Sequence, residues 1–414
     1  MTAWTQDVLS ILTLDSLGLC FAGALLGTLT GVQPGIGPAA TLALLLPLTY
    51  SLDPAGALIM LSAIYYGAQY GSSTTAILLN LPGETSGIVT ALDGHRLALK
   101  GRAGPAIGVA ALASLVAGLI SAGFIAVAAA PIAQVSLLIS PAGLAGIIAL
   151  GLFAAAAIAP GPPLAAITLI LIGACIGLVG TDSGGGLPRF TLGITELRDG
   201  VGFMPLVMGL FTIAELIRAL ETGDRPERIA PVRWPWPTRA DVGASWAPTL
   251  RGAAIGTLLG VVPGVSTVMS SLAARGAERA FRTRDAPLGE GAMAGVAAPE
   301  AANNASAQSA LVPLLTLGIP GNPVIAVLAG ALMIQGIAPG PSFISSNPDL
   351  FGALVASLVA GNVILVVLNL PFAGLWASLL SFPFRRLVPV IFVFALIGVH
   401  SVRSSVFVVW LMLG

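Results

Sequence analysis

The chain has 414 residues, of which 56% are apolar and 9% charged, with 18 basic residues against 18 acidic ones. A soluble domain carries about 25% charged residues, so this chain lacks the charge to coat a soluble surface and reads as an integral membrane protein. The balanced charge leaves no basic face for nucleic acid, and two cysteines, Cys20 and Cys175, both in apolar runs, argue against a cysteine-ligated metal, a thiol redox motif or a disulfide framework.

Met1–Asp15 holds Asp7 and Asp15 and no Lys or Arg. A cleaved secretory signal would begin positive, so the first apolar segment reads as a retained span. A membrane helix needs about 20 residues. Ser16–Leu52 is charge-free and too long for one straight helix, which predicts a bend at Pro34-Gly35. Pro54–Gly83 follows, then a basic loop over Gly94–Arg102. Ala103–Thr181 has room for three passes, with turns expected at Pro131 and around Pro160–Pro163. Gly200–Ala214 extends past Glu215 into Glu221–Arg251, a linker rich in Arg, Pro and Trp. Positive-inside logic places this linker, Gly94–Arg102 and Arg275–Arg284 in the cytoplasm. Gly252–Ala274 would then be a hairpin or re-entrant segment bent at Pro263-Gly264. Ala301–Pro348, Leu350–Phe384 and Leu387–Gly414, the last interrupted by His400 and Arg403, complete the series.

The sum is about ten to twelve membrane segments. Only helices close their backbone hydrogen bonds in lipid at this length, and barrel strands would alternate in polarity where these runs do not. The expected fold is an all-α polytopic membrane protein. Its expected parts are residues 1–220 as a first transmembrane repeat, 221–251 as a cytoplasmic linker and 252–414 as a second repeat, C-terminally short.

The repeat rests on three landmarks in one order. Gly27–Gly35 (GTLTGVQPG) and Gly256–Gly264 (GTLLGVVPG) agree at seven of nine positions. Leu81-Pro82-Gly83 then matches Ile319-Pro320-Gly321, and Gly104-Pro105 matches Gly340-Pro341. Paired Gly/Pro-broken membrane segments point to a transporter site. They free backbone groups at membrane depth that a cavity or ligand must satisfy, and half-helix N-termini suit an anion.

Four polar constellations interrupt the apolar runs: Gln33–Pro38, containing Pro34, Gly35 and Gly37; Tyr65–Thr75 followed by Asn80-Leu81-Pro82-Gly83-Glu84; Pro263–Thr267, containing Gly264 and Ser266; and Ala298–Ser309 followed by Gly318–Asn322. A single Ser or Thr in a membrane helix usually bonds its own backbone. The run Ser72, Ser73, Thr74, Thr75 covers every helix face, however, and Asn303-Asn304 adds two adjacent amides, so a polar cavity is expected. Amides and hydroxyls serve both carboxylate oxygens and cations. Glu300 heads a charge-free run and is either an intramembrane functional acid or an interfacial helix N-terminal acid. Asp53 and Asp182 read as N-caps or loop residues, Glu84 is intermediate, and His95 and His400 are isolated, without metal spacing.

These strings resemble one family, the large membrane subunit of the tripartite tricarboxylate transporters (TctA family). The carriers are Gly31–Pro38, Tyr65–Asn80, Gly295–Ala305 and Leu315–Gly321, with Arg189-Phe190-Thr191, Gly209-Leu210-Phe211 and Glu215-Leu216 similar to the mid-region. Members usually run on past this C-terminus, and Val265-Ser266 stands where the first half has Ile36-Gly37, so the halves are not chemically equivalent. The resemblance implies a non-enzymatic secondary transporter (a symporter) of the bacterial inner membrane that imports small carboxylates on an ion gradient. It also implies a small membrane subunit and a periplasmic solute-binding protein as partners, with membrane lipid around it. No phosphate loop of the nucleotide-binding type is present, and no cofactor is expected beyond a coupling Na⁺ or H⁺. The oligomeric state is open between one copy and a homo-oligomer.

The expected cavity lies where Pro34-Gly35 and Pro263-Gly264 face each other, lined by Ser72–Thr75, Asn80, Asn303 and Asn304. The dearth of buried Arg or Lys predicts a co-bound Na⁺ at Ser72, Thr75 and Asn303, with proton coupling through Glu300 as the alternative. A passive channel and an intramembrane enzyme, for which Asp53 and Asp182 are thin candidates, are the rival classes.

Overall fold

The structure, a computed structural model, describes residues 13–33, 38–80, 84–158, 162–182, 187–202, 205–206, 208–222, 232, 235–281, 286–379, 388–403 and 405–413. The described chain is almost wholly helical, in keeping with an all-α polytopic membrane protein. Its first half runs α1 (Leu14–Gly31), α2 (Pro38–Leu45), α3 (Pro54–Leu79), α4 (Gly87–Leu99), α5 (Ala103–Ser136), α6 (Pro141–Ile158) and α7 (Pro163–Gly177). A two-stranded hairpin follows, β1 (Gly180–Thr181) antiparallel to β2 (Pro188–Arg189), closed by an Arg189–Asp182 ion pair at 2.7 Å. A π-helical turn over Met208–Ile213 leads into α8 (Ala214–Thr222).

The second half contains α9 (Arg239–Gly260), α10 (Thr267–Glu278), α11 (Ala294–Ser309), α12 (Leu311–Leu317), α13 (Pro323–Ile334), α14 (Phe343–Ser346), α15 (Pro348–Asn369), α16 (Ala373–Leu379), α17 (Val388–Arg403) and α18 (Val406–Leu413). Three helices, α1, α5 and α15, are by themselves long and apolar enough to cross a membrane. α3 has the length, at 26 residues, but its hydroxyls and amides lower its hydropathy.

Local chemistry explains several helix ends. Asp53 caps α3 by accepting from the backbone N–H of Ala55 and Gly56, the N-cap role expected of it. α9 opens on a reciprocal capping box between Thr238 and Asp241. That box moves the helix start upstream of the charge-free run at Gly252, so the end of the expected linker is helical; Arg251 and Asp241 are accommodated because both are ion-paired. The turn expected at Pro131 does not occur: α5 runs through it for 34 residues to Ser136. A proline removes a single backbone bond and can be carried by a packed membrane helix, so the turn falls instead just before Pro141. The break at Pro263-Gly264 does occur between α9 and α10. Gly264 has φ 86°, a left-handed conformation that a side chain would strain.

Two helix pairs form the tightest seams. Gly23, Gly27 and Gly31 of α1 press on the backbone at Met60, Ile64 and Ala68 of α3, and Gly252, Gly256 and Gly260 of α9 press on Ala298, Ala302 and Ser306 of α11. A Cβ at Gly27 would collide with the Ile64 carbonyl, and one at Gly256 with the Ala302 carbonyl. Such small-residue faces let membrane helices approach closely enough for dispersion to hold them. α3 ends on left-handed Asn80 (φ 58°) and α12 on left-handed Gly318 (φ 74°), both helix C-terminal caps.

Apolar packing falls mainly into two bodies. One gathers Ala24, Leu58, Tyr66, Ile325 and Leu354, and the other Ile77, Leu97, Ala106, Val296 and Ala301. α3 contributes to both, and its polar stretch from Gln69 to Thr75 sits at the junction.

Charged residues in and beside α4 pair with the second half of the chain. Arg275 pairs with Asp93, Lys100 donates to the Glu290 carbonyl at 2.5 Å, Arg102 pairs with Asp241, and Arg251 makes a two-pronged pair with Glu278 at 2.6 and 2.7 Å.

Candidate functional site

Polar side chains from both halves converge where α3, α4, α10 and α11 meet. Glu300 is the centre of the first group. It does not head its helix: α11 begins at Ala294, and Glu300 lies in its interior, 2% exposed. Its carboxylate accepts from Ser73 Oγ at 2.7 Å and from Thr90 Oγ1 at 2.5 Å. Neither donor is cationic, and no Arg or Lys among the described residues bonds to it. A small cavity beside it is lined by Tyr70, Ser73, Thr74, Ser114 and Asn369 among others.

Glu84 anchors the second group. Its backbone N–H donates to Ser72 Oγ at 2.7 Å, and its Oε1 accepts from Thr267 Oγ1 at 3.1 Å. The residue is partly exposed, but Oε2 is buried and unpaired among the described residues. Gln69 and Ser86 flank this carboxyl, and Glu300 lies near enough to interact with it electrostatically. Gln69 joins the two groups, because its Oε1 accepts from Asn303 Nδ2 at 2.9 Å. Tyr65 reaches the same neighbourhood, beside Gln69, Asn322 and Glu84. Glu84, Thr267 and Asn322 each follow a Pro-Gly pair, so three chain breaks converge here. The adjoining breaks are tied directly: Gly264 N–H donates to the Gly321 carbonyl at 3.3 Å.

The sequence-predicted residues distribute unevenly about this cluster. Ser72, Ser73 and Asn303 lie in it, and Thr74 lines the cavity next to Glu300. Thr75 donates to the Ser72 carbonyl of its own helix at 2.8 Å. Asn80 is exposed and serves as the left-handed cap of α3. Asn304 is buried, its Oδ1 unpaired among the described residues. Ser266 caps α10 by accepting from Met269 N–H, and Gly264 shapes the turn before it. Pro34, Gly35 and Gly37 lie outside the described residues. His95 Nδ1 lies 3.1 Å from the Ile77 carbonyl, to which it can only donate, and no metal-holding group of His, Cys, Asp and Glu occurs among the described residues.

The structure adds Gln69, Glu84, Thr90 and Thr267 to the site. Gln69, Glu84 and Thr267 stand inside the polar constellations and were not distinguishable there from their neighbours. Thr90 carried no signal: it is a lone hydroxyl in an amphipathic helix, drawn in by the fold.

Chemically, the cluster offers two carboxylates, several hydroxyls and amides and, among the described residues, no cationic side chain bonded to either carboxylate. It can bind a cation directly. It can receive an anion only if positive charge arrives as well, because buried like charges repel in a low dielectric.

Comparison with known proteins adds a lineage. The model of the "Tripartite tricarboxylate transporter TctA family" matches residues 17–414. An uncharacterized 52.8 kDa protein in the TAR-I ttuC' 3' region of Agrobacterium vitis is 48% identical over 392 residues, covering 94% of this chain and 78% of that protein. An uncharacterized protein in the TAR-II ttuC' 3' region of the same organism is 49% identical over 155 residues, covering 37% of this chain and 64% of that protein. No solved structure matches.

Proposed function

We propose, from the premise that this chain belongs to the tripartite tricarboxylate transporter TctA family, that it is the permease subunit of a binding-protein-dependent importer of small carboxylates, driven by a cation gradient across the bacterial inner membrane. The observation that carries the cation coupling is the site's charge. Glu84 and Glu300 face a cluster of hydroxyls and amides with no Arg or Lys bonded to either among the described residues. A carboxylate substrate entering there needs co-bound cations to offset repulsion. Each ion then lowers the other's cost of leaving water. Na⁺ is favoured over H⁺ because neutral oxygen ligands are abundant.

The partners in this reading are a small membrane subunit and a periplasmic solute-binding protein that delivers substrate. The two halves act as homologous repeats around the site. Four parallels support that duplication: the shared GTL-GV-PG string, the matching glycine seams on α1 and α9, the paired Pro-Gly breaks, and the left-handed caps at Asn80 and Gly318.

The test is uptake of a panel of labelled carboxylates into cells carrying this chain with its small subunit and binding protein, with and without a Na⁺ gradient. Na⁺-dependent uptake that requires the binding protein is expected. Gradient-independent conduction without the binding protein would instead establish a passive channel. Asn303→Leu and Asn304→Leu are expected to abolish uptake with membrane insertion intact; wild-type uptake in either variant removes that residue from the site.

A further inference from the structure

The two buried carboxylates are not equivalent. Both oxygens of Glu300 receive a hydroxyl donor, from Ser73 and Thr90. Glu84 has one oxygen on Thr267 and the other, Oε2, without a partner among the described residues. Around this carboxyl stand further groups without a closed hydrogen bond among the described residues. Ser86 and Gln69, each 1% exposed, turn hydrogen-bonding groups toward the carboxyl, yet neither Ser86 Oγ nor Gln69 Nε2 closes a bond of full hydrogen-bond geometry among the described residues. Asn303 is bonded to Gln69 through Nδ2 and leaves its own Oδ1 unpaired. Buried polar groups are normally paired. Four unsatisfied groups in one chain of contacts, one of them a carboxylate oxygen, mark a place built for a ligand that is itself positive and accepts oxygen donors.

We propose that Glu84, Ser86 and Gln69 form a Na⁺ site at the meeting of the two halves, and that Glu300 is the fixed, hydroxyl-locked neighbour rather than the ion's ligand. This rests on the cation-coupled reading above and gives it a location. Glu84 Oε2 supplies the charge and Ser86 Oγ a neutral ligand. Gln69 supplies an oxygen by a half-turn of its amide. Asn303 turns with it, so that Gln69 Nε2 donates to Asn303 Oδ1 and the mutual hydrogen bond survives. The concerted turn has a consequence for the substrate. Without the cation, Asn303 presents a free acceptor; with it, Asn303 presents a free Nδ2 donor, the group a carboxylate needs. Cation and anion binding are thereby coupled through two amides, without a large movement.

The experiment is ²²Na⁺ binding to the purified full chain, in the absence of substrate and with choline as the control salt. The wild type is expected to bind saturably. Glu84→Gln should weaken binding about 10- to 100-fold, the loss of one charged ligand. Glu300→Gln should weaken binding less than Glu84→Gln does, because it removes a neighbouring charge but no ligand. Should Glu84→Gln fail to purify as a monodisperse protein, Ser86→Ala and Gln69→Leu carry the test, each expected to weaken binding about 3- to 10-fold. Absence of saturable binding in the wild type overturns the site. So does wild-type binding in Glu84→Gln, or in both Ser86→Ala and Gln69→Leu, and so does loss of binding in Glu300→Gln alone. The result separates from the uptake experiment. Saturable ²²Na⁺ binding with gradient-independent uptake would leave this site standing and remove the coupling. Na⁺-driven uptake whose Na⁺ dependence is unchanged in Glu84→Gln would leave the coupling and remove this site.

Discussion

Two groups of buried carboxylates lie on neighbouring elements and are treated in opposite ways. In the first group, Asp93 is fully buried, pairs with Arg275, and accepts three backbone N–H bonds on its Oδ1, from Gly289, Gly291 and Ala292. Gly295 is bare beside it because a Cβ there would strike the Asp93 carboxylate. Glu278 is likewise held by both prongs of Arg251, which also stacks on Phe281 at 4.0 Å. These acids have their needs met from within the chain, so they are architecture: Asp93 ties α4 to α10 and to the loop before α11, and Glu278 ties α10 to α9. Glu84 and Glu300, at the junction of the two apolar bodies, receive hydroxyls only. In the proposed reading, these are the carboxylates that meet the mobile cation.

The comparison breaks first at its architectural end. Arg275→Ala should cost about 3–5 kcal/mol, because it strands Asp93 as a buried, uncompensated charge; thermal unfolding of the purified chain measures this. A loss under 1 kcal/mol would mean the pair is no lock, and the contrast with Glu84 would collapse. The seams beside both groups come next. Gly256→Ala should destabilise by about 1–3 kcal/mol by forcing α9 off the Ala302 carbonyl. Gly276→Ala, with nothing within 4 Å of the new methyl, should be neutral or stabilising by up to about 1 kcal/mol. Equal effects would show that the seam tolerates separation.

At the functional end the readout changes from stability to transport. Thr267→Val removes the hydroxyl that donates to Glu84 Oε1 and should cost about 1–3 kcal/mol, together with a weaker apparent Na⁺ affinity in uptake. Thr75→Val, whose hydroxyl serves only its own helix, should leave that affinity unchanged. A Thr75 effect equal to that of Thr267 would shift the site up α3. The smallest effect is expected at Arg102, whose side chain is 40% exposed. Arg102→Ala should change stability by about 0–1 kcal/mol, and more would place the Arg102–Asp241 pair among the locks.

Much of the lineage was legible in residues 31–38, 65–80, 295–305 and 315–321, since Gly, Pro, Asn and Ser at membrane depth are costly and therefore conspicuous. The division of labour among them was not legible. Thr75 and Ser72 look alike in sequence, yet one hydroxyl folds back on its helix while the other receives the Glu84 backbone. Asn80 looked like a site amide and is a left-handed helix cap. Glu84 sat beside a Pro-Gly pair with no partner in view, because Thr267 and Ser72, its partners, come from distant stretches of chain.

The sequence by itself determined the solvent. With 9% charged residues the chain must be a set of membrane helices, and its Gly/Pro breaks mark where backbone groups go unsatisfied. Only the tertiary structure decided which acids are neutralised. Neutralisation depends on distances of a few ångströms between residues nearly two hundred positions apart: Asp93 meets the charge of Arg275, whereas Glu84 meets only the hydroxyl of Thr267, and local sequence does not encode such distances. That physical fact separates the locked end of this molecule from its open site.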